Sequence, residues 1–105
     1  MLVFYKLDDA LKEKLIMGEN VRQVLDYVVR GEVDAGIVYK TDALTQPSGV
    51  NVVFNVPPAA HSPVLYPIGV IKDSKNPQAA QRFTQYVADN AATRHILEKY
   101  GFTKP

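Results

Sequence analysis

The segment from Asn20 to Gly31 carries signals for both ends of a helix and constrains the fold more than any other stretch. Asn20 is a typical N-cap residue, and Gln23 follows at the spacing of a capping box. Gly31 comes just after the last periodic apolar residue, where glycine readily adopts a positive φ. We therefore predict an amphipathic helix over roughly Val21–Arg30. Its apolar face consists of Val21, Val24, Leu25, Val28 and Val29.

The start of this helix is a candidate anion site. The amides of a first helical turn have no partner inside the helix, and the helix dipole adds partial positive charge there. The apolar run Ala35–Tyr39 predicts a buried strand, and its last residue carries a phenol hydroxyl. Ligands of open α/β sheets bind at the carboxyl ends of strands, beside helix N-termini. Most capped helices bind nothing, so an ordinary helix on a core strand, with Tyr39 as a half-buried aromatic, remains the simpler interpretation.

Helical and extended patterns alternate along the rest of the chain, which favours an α/β fold class. Met1–Tyr5 fits either a short strand or the tail of an element that begins upstream, and we favour the tail. Helical patterns are found at Leu7–Ile16, at Thr41–Leu44, after Asn76-Pro77, and from Asp89-Asn90 to Gly101. Strand patterns are found at Val50–Val56 and at Val64–Ile71, where Pro67 interrupts the run.

Charge and composition exclude several classes of protein. The net charge is +1 and the basic residues are scattered, so we expect no nucleic-acid partner. The chain has no cysteine, which excludes disulfides and thiolate chemistry. The apolar run at residues 1–5 is too short for a signal peptide, and no run is long enough to span a membrane. We expect no export signal within these 105 residues.

The sequence contains no arrangement typical of catalysis. There is no carboxylate pair with a histidine, no nucleophile elbow, no glycine-rich phosphate loop and no cluster of metal ligands. His61 lies in the predicted loop Pro57–Pro63 without a second ligand at metal spacing, so we interpret it as a surface residue. Glu32, Asp34 and Asp42 are interpreted as solvated loop charges. We predict that the protein is not an enzyme and has no cofactor or metal.

Four motifs, in this order, resemble the molybdate-binding proteins of ABC importers, which are periplasmic or lipid-anchored solute receptors. They are residues 18–23 (GENVRQ), 31–43 (GEVDAGIVYKTDA), 66–68 (YPI) and 96–102 (ILEKYGF). The resemblance runs through nearly the whole chain but covers only the C-terminal portion of such a receptor. It implies molybdate or tungstate as the ligand, a membrane permease as a partner and an extracytoplasmic location. Sulfate needs the same donors, so the sequence does not separate it from the other two anions.

The resemblance also implies a fold. This is a type 2 periplasmic-binding-protein-like, three-layer α/β lobe with C-terminal helices, in which the first lobe is largely missing. Residues 1–105 then form a single truncated domain. Residues 1–66 belong to the second lobe, and residues 67–105 form the hinge-crossing strand and the C-terminal helices. Without a first lobe to cover, the apolar faces of those helices need another partner, so we expect a homodimer, in which the C-terminal helices can be exchanged.

In the family, neutral donors hold the oxyanion between two lobes. The contacts that carry over are the backbone N–H of Val21 and the hydroxyl of Tyr39, with Asn20 at the cap position. Two serines of the family's first lobe have no counterpart here. Each such hydrogen bond contributes about 1.5–3 kcal/mol, so their loss weakens binding by roughly two to four orders of magnitude. We expect weak or no binding of oxyanion by this chain alone. The alternative is a small dimeric interaction or regulatory module that binds no ligand.

Overall fold

The computed structural model of the protein describes residues 1–103, which contain five α-helices and two 3-10 turns. The helices are α1 (Asp8–Leu11), α2 (Val21–Val29), α3 (Lys40–Ala43), α4 (Pro77–Asp89) and α5 (Ala91–Lys99). The 3-10 turns are Lys12–Lys14 and Pro58–Ala60. The chain divides into two units, of which the first is Met1–Val64 and the second begins at Leu65. Helices α1 to α3 belong to the first unit, and α4 and α5 to the second.

Helix α2 confirms the predicted helix to within one residue of its predicted end. Gly31 follows with a φ of 70°, as its position after the apolar run predicts. Its N–H donates to the carbonyl of Val28 at 3.0 Å, and the N–H of Glu32 donates to the carbonyl of Tyr27 at 2.9 Å. These two bonds form a Schellman motif, which satisfies carbonyls that the helix end leaves open.

The second unit contains the helix pair that the caps predict. Asn76 occupies the predicted cap position of α4, but its side chain makes no capping hydrogen bond. Pro77 occupies the first helical position, where its missing N–H costs nothing. The side-chain oxygen of Asn90 accepts the N–H of Ala92 at 2.8 Å and caps α5. Gly101, with a φ of 88°, follows the end of α5. Helices α4 and α5 pack against each other.

Two predicted helices have different bounds in the structure. The prediction of one helix over Leu7–Ile16 is wrong, because α1 ends at Leu11 and a 3-10 turn follows. Neither element has a side-chain cap or a buried residue, so no packing offsets the cost of starting a helix. Helix α3 begins one residue before the predicted Thr41, because Tyr39 takes the cap position.

The structure contains no β-strand within residues 1–103, so the predicted strands are wrong for this structure and the α/β fold class is not confirmed. The segments Ala35–Tyr39, Val50–Val56 and Val64–Ile71 are neither helical nor paired with one another. A strand is stable only when a neighbour exchanges backbone hydrogen bonds with it, and these 103 residues supply no such neighbour. Alternating apolar residues predict that a segment suits a sheet, not that its partner is present.

Little of the apolar surface is buried. The buried apolar residues are Leu25 at 2%, Ala60 at 4% and Ala43 at 7% exposure. The predicted inward position of Leu25 is confirmed. Phe83 on α4 and Tyr100 directly after α5 are each about three-fifths exposed, so the apolar faces of these helices are not covered within residues 1–103. Exposed apolar surface of this extent is typical of an interaction surface.

We expect Gly31→Ala to lower the free energy of unfolding by about 1 kcal/mol, because alanine is strained at the positive φ that ends α2. Gly69→Ala is the matched control, since a Cβ there meets nothing within 4 Å and needs no positive φ. Thermal unfolding followed by far-ultraviolet circular dichroism compares the two variants. Equal losses of stability in both would contradict the helix-ending role of Gly31.

Candidate functional site

The first turn of α2 is built around the Asn20 side chain. Its Oδ1 accepts the N–H of Gln23 at 3.0 Å, so the predicted cap is confirmed. The side chain of Gln23 turns back and accepts the N–H of Glu19 at 2.6 Å. A capping box directs this second bond to the cap residue itself, whereas here it closes one residue earlier. The two bonds fix the backbone on both sides of Asn20.

The amides of Val21 and Arg22 are open donors at this helix start. They occupy the first two helical positions, and none of the hydrogen bonds within residues 1–103 uses either N–H group. Amides at these positions point out of the helix along its axis, where the positive end of the helix dipole lies. Two adjacent N–H groups of this kind can bind an oxyanion without a cationic side chain.

A groove of about 800 Å³ runs along α2 in the first unit, from the start of the helix to residues 32–37, which follow its end. Asn20 and Val21 line it, together with apolar side chains of α1, α2 and the loop between them. The charged residues in its wall are Lys14, Glu32 and Asp34. Glu32 is paired with Arg30, whose Nε lies 3.1 Å from Glu32 Oε1, so the remaining charges, on Lys14 and Asp34, are opposite and give no net attraction for an anion. Any attraction for an anion at this groove comes from the backbone amides.

Tyr39 lies at the start of α3 and is 40% exposed. Its carbonyl accepts the N–H groups of Asp42 at 3.0 Å and of Ala43 at 3.1 Å. Tyr39 is not among the residues that line the groove beside Asn20 and Val21. The structure thus places Asn20 and Val21 together, and Tyr39 directly before α3, a helix that contacts α2. The pairing of the Tyr39 hydroxyl with the Val21 amide stays a prediction.

A polar bridge that the sequence did not reveal joins α2 and α3. Arg22 Nη2 lies 2.9 Å from Asp42 Oδ1, and Arg22 Nη1 donates to Thr45 Oγ1 at 2.7 Å. Only 13% of the Asp42 side chain is exposed, so its interpretation as a solvated loop charge is wrong. The available signal was a pair of opposite charges, one at the start of the predicted helix Val21–Arg30 and one in the helical pattern Thr41–Leu44.

The described chain offers no metal centre and no membrane span. No group of three or more histidine, cysteine, aspartate or glutamate side chains within residues 1–103 could hold a metal ion. His61 Nδ1 lies 2.7 Å from the carbonyl oxygen of the neighbouring Ser62. No helix in this part of the chain is long and apolar enough to cross a membrane.

Comparison with known proteins gives a consistent result. A family model described as bacterial extracellular solute-binding protein matches residues 2–103. YvgL of Bacillus subtilis, named as an ABC transporter substrate-binding lipoprotein, is 47% identical over 95 residues, which is 90% of this chain and 36% of the relative. The molybdate-binding proteins ModA of Haemophilus influenzae and Escherichia coli are 37% and 38% identical over the same shares. The resemblance to molybdate-binding proteins is therefore confirmed.

The chain spans about a third of the length of these curated relatives. No solved structure gives a significant match. The similarity covers both units of the chain, so it includes the start of α2 and the residues around Tyr39.

We expect Asn20→Ala to lower the free energy of unfolding by about 1 kcal/mol, because the Gln23 amide loses its acceptor. Asn20→Ser keeps a capping oxygen and should have a much smaller effect. Asn90→Ala, which removes the cap of α5, is the matched control and should cost a similar amount. Thermal unfolding of the three variants tests this ranking. A serine variant as unstable as the alanine variant would contradict capping as the role of Asn20.

Proposed function

The chain belongs to the bacterial extracellular solute-binding protein family, and on that basis we propose that it is part of a substrate-binding protein for molybdate or tungstate uptake by an ABC importer. The observation that carries the proposal is the identity of 37–38% to two molybdate-binding proteins over 90% of this chain. Solute-binding proteins are not enzymes and hold their solute as a ligand. The predictions of no enzymatic activity and no cofactor are therefore confirmed by family membership.

The proposed site holds the oxyanion with neutral donors. The N–H groups of Val21 and Arg22 bind it at the start of α2, and the hydroxyl of Tyr39 adds a third donor. Asn20 fixes this turn through Oδ1, so any contact of its own with the anion comes from its backbone N–H or its Nδ2 group. Directed neutral donors bind a dianion without a buried counter-charge, and they select by size and geometry. The open amides of α2 support this arrangement.

We propose that the full fold is the type 2, three-layer α/β lobe that the resemblance implies. Residues 1–66 then belong to the second lobe, and residues 67–105 to the hinge-crossing strand and C-terminal helices. The unpaired extended segments support this proposal, because each has the composition of a strand and needs a neighbour. The chain spans about a third of the relatives' length, which agrees with a chain that supplies one part of this fold.

The proposed partners follow from the same assignment. A membrane permease of an ABC importer receives the oxyanion, and the site of action is periplasmic or otherwise extracytoplasmic. The name of the Bacillus subtilis relative, which describes a lipoprotein, supports this location. We also propose that the isolated chain forms a homodimer, which the exposed apolar side chains of α4 and α5 support.

The second candidate is a small dimeric interaction or regulatory module without a ligand. The groove beside α2 favours it, because its wall is mostly apolar and its side chains carry no net positive charge. A surface of this kind suits an apolar protein partner better than an anion. The two candidates differ in one respect that is easily measured, which is the response of the chain to an oxyanion.

We expect sodium molybdate to shift the amide resonances of Val21 and Arg22 in nitrogen-15 correlation spectra, with an affinity weaker than micromolar because the serine donors are missing. Tyr39→Phe should weaken the response about tenfold or more, since it removes one hydrogen bond to the anion. Tyr86→Phe on α4 is the matched control and should have no effect. No shift in the wild-type chain would favour the module, and sub-micromolar affinity would contradict weak binding.

We expect light scattering to give the mass of a dimer for the isolated chain. Ile96 on α5 is 56% exposed, and Ile96→Glu should shift the mass towards the monomer, because it places a charge on the proposed apolar interface. Val53→Glu is the control, since Val53 is 89% exposed and lies in the first unit. A wild-type chain that is monomeric at moderate concentration would contradict the homodimer.

A further inference from the structure

We propose that Arg22 is a positioning residue, which holds the start of α3, and with it Tyr39, in place against the start of α2. The inference rests on the proposed oxyanion site and names what sets its geometry. Val21 begins α2 and Tyr39 directly precedes α3, so their relative placement needs a contact that joins the two helices. The guanidinium of Arg22 supplies that contact.

The bridge is the only ion pair within residues 1–103 that joins separate helices. The other pair, Arg30–Glu32, lies two residues apart at the far end of α2. Arg22 reaches across twenty-three residues to the hydroxyl of Thr45, which in turn donates to the carbonyl of Asp42 at 2.7 Å. One guanidinium therefore contacts both the side chain of Asp42 and a hydroxyl bound to its backbone.

Helix α3 depends on such a contact for its orientation. It is a single turn of four residues without a side-chain cap, and helices this short are not stable by themselves. The N–H groups of Asp42 and Ala43 both donate to the carbonyl of Tyr39. A displacement of Asp42 is thus passed directly to the backbone of Tyr39. Ala43 is buried, which anchors the same turn from its other side.

The ion pair also keeps the site neutral. Asp42 compensates the charge of Arg22, so the guanidinium does not act as a counter-ion for a dianion at the adjacent amides. A substitution of the Arg22 side chain leaves its backbone N–H in place. It therefore removes the bridge without removing a donor, and this separates positioning from binding.

The experiment is a sodium molybdate titration of the full chain, observed at the Val21 amide and at the Tyr39 ring. In the wild type both signals should shift with one common affinity. Arg22→Gln should weaken that affinity about two- to thirtyfold and abolish the Tyr39 response, while the Val21 amide still responds. Arg22→Lys keeps the charge but not the fork of donors and should recover part of both.

Two further variants serve as controls. Arg30→Gln removes the exposed pair at the far end of the same helix and should leave both responses unchanged. Asp42→Asn keeps an oxygen for the guanidinium but removes its compensating charge. This variant should retain the Tyr39 response and make the affinity more dependent on salt. If Arg22→Gln does not fold, Arg22→Lys and Asp42→Asn, which keep part of the bridge, test the positioning role instead.

The outcomes separate this inference from the proposed function. A wild-type chain that shows no shift with molybdate overturns the oxyanion site and the positioning role together. A wild-type response, with Arg22→Gln responding equally at both signals, overturns the positioning role alone. Selective loss of the Tyr39 response, with Arg30→Gln unchanged, supports it.

Discussion

The hydrogen bond from the Gln23 amide to the Asn20 side chain is the interaction on which the candidate site depends. It satisfies the third amide of α2 and leaves those of Val21 and Arg22 directed out of the helix. The Schellman motif after Gly31 closes the other end, and Leu25 between them is the most deeply buried large side chain. A helix of nine residues is stable here because both of its ends are capped and Leu25 on its apolar face is buried.

The contrast between local and distant partners explains the rest of the structure. Helices satisfy their own backbone, so α2, α4 and α5 form from local signals. Strands need neighbours, and the segments predicted as strands have none among the described residues. The same shortage leaves side chains such as Met17 and Ile71 about four-fifths exposed. An apolar surface of this extent needs a partner, whether it is a second copy or the rest of a solute-binding fold.

Prediction from sequence succeeded where the controlling contacts lie within a few residues of each other. Asn20, Gly31, Asn90 and Gly101 mark helix ends because capping is a local interaction. The site was only partly predictable. The placement of Val21 followed from the cap, whereas the bridge from Arg22 to Asp42 depends on how two helices pack, which spacing along the chain does not encode.

The central claim is that backbone amides at the start of α2, with the Tyr39 hydroxyl, bind a tetrahedral dianion. Crystals of the chain grown with sodium tungstate test it directly, because the anomalous signal of tungsten locates the anion. The account predicts a tungsten peak whose oxygens lie about 2.7–3.2 Å from the Val21 nitrogen and the Tyr39 hydroxyl. A peak elsewhere, or a structure in which these two donors lie on unrelated surfaces, would contradict it.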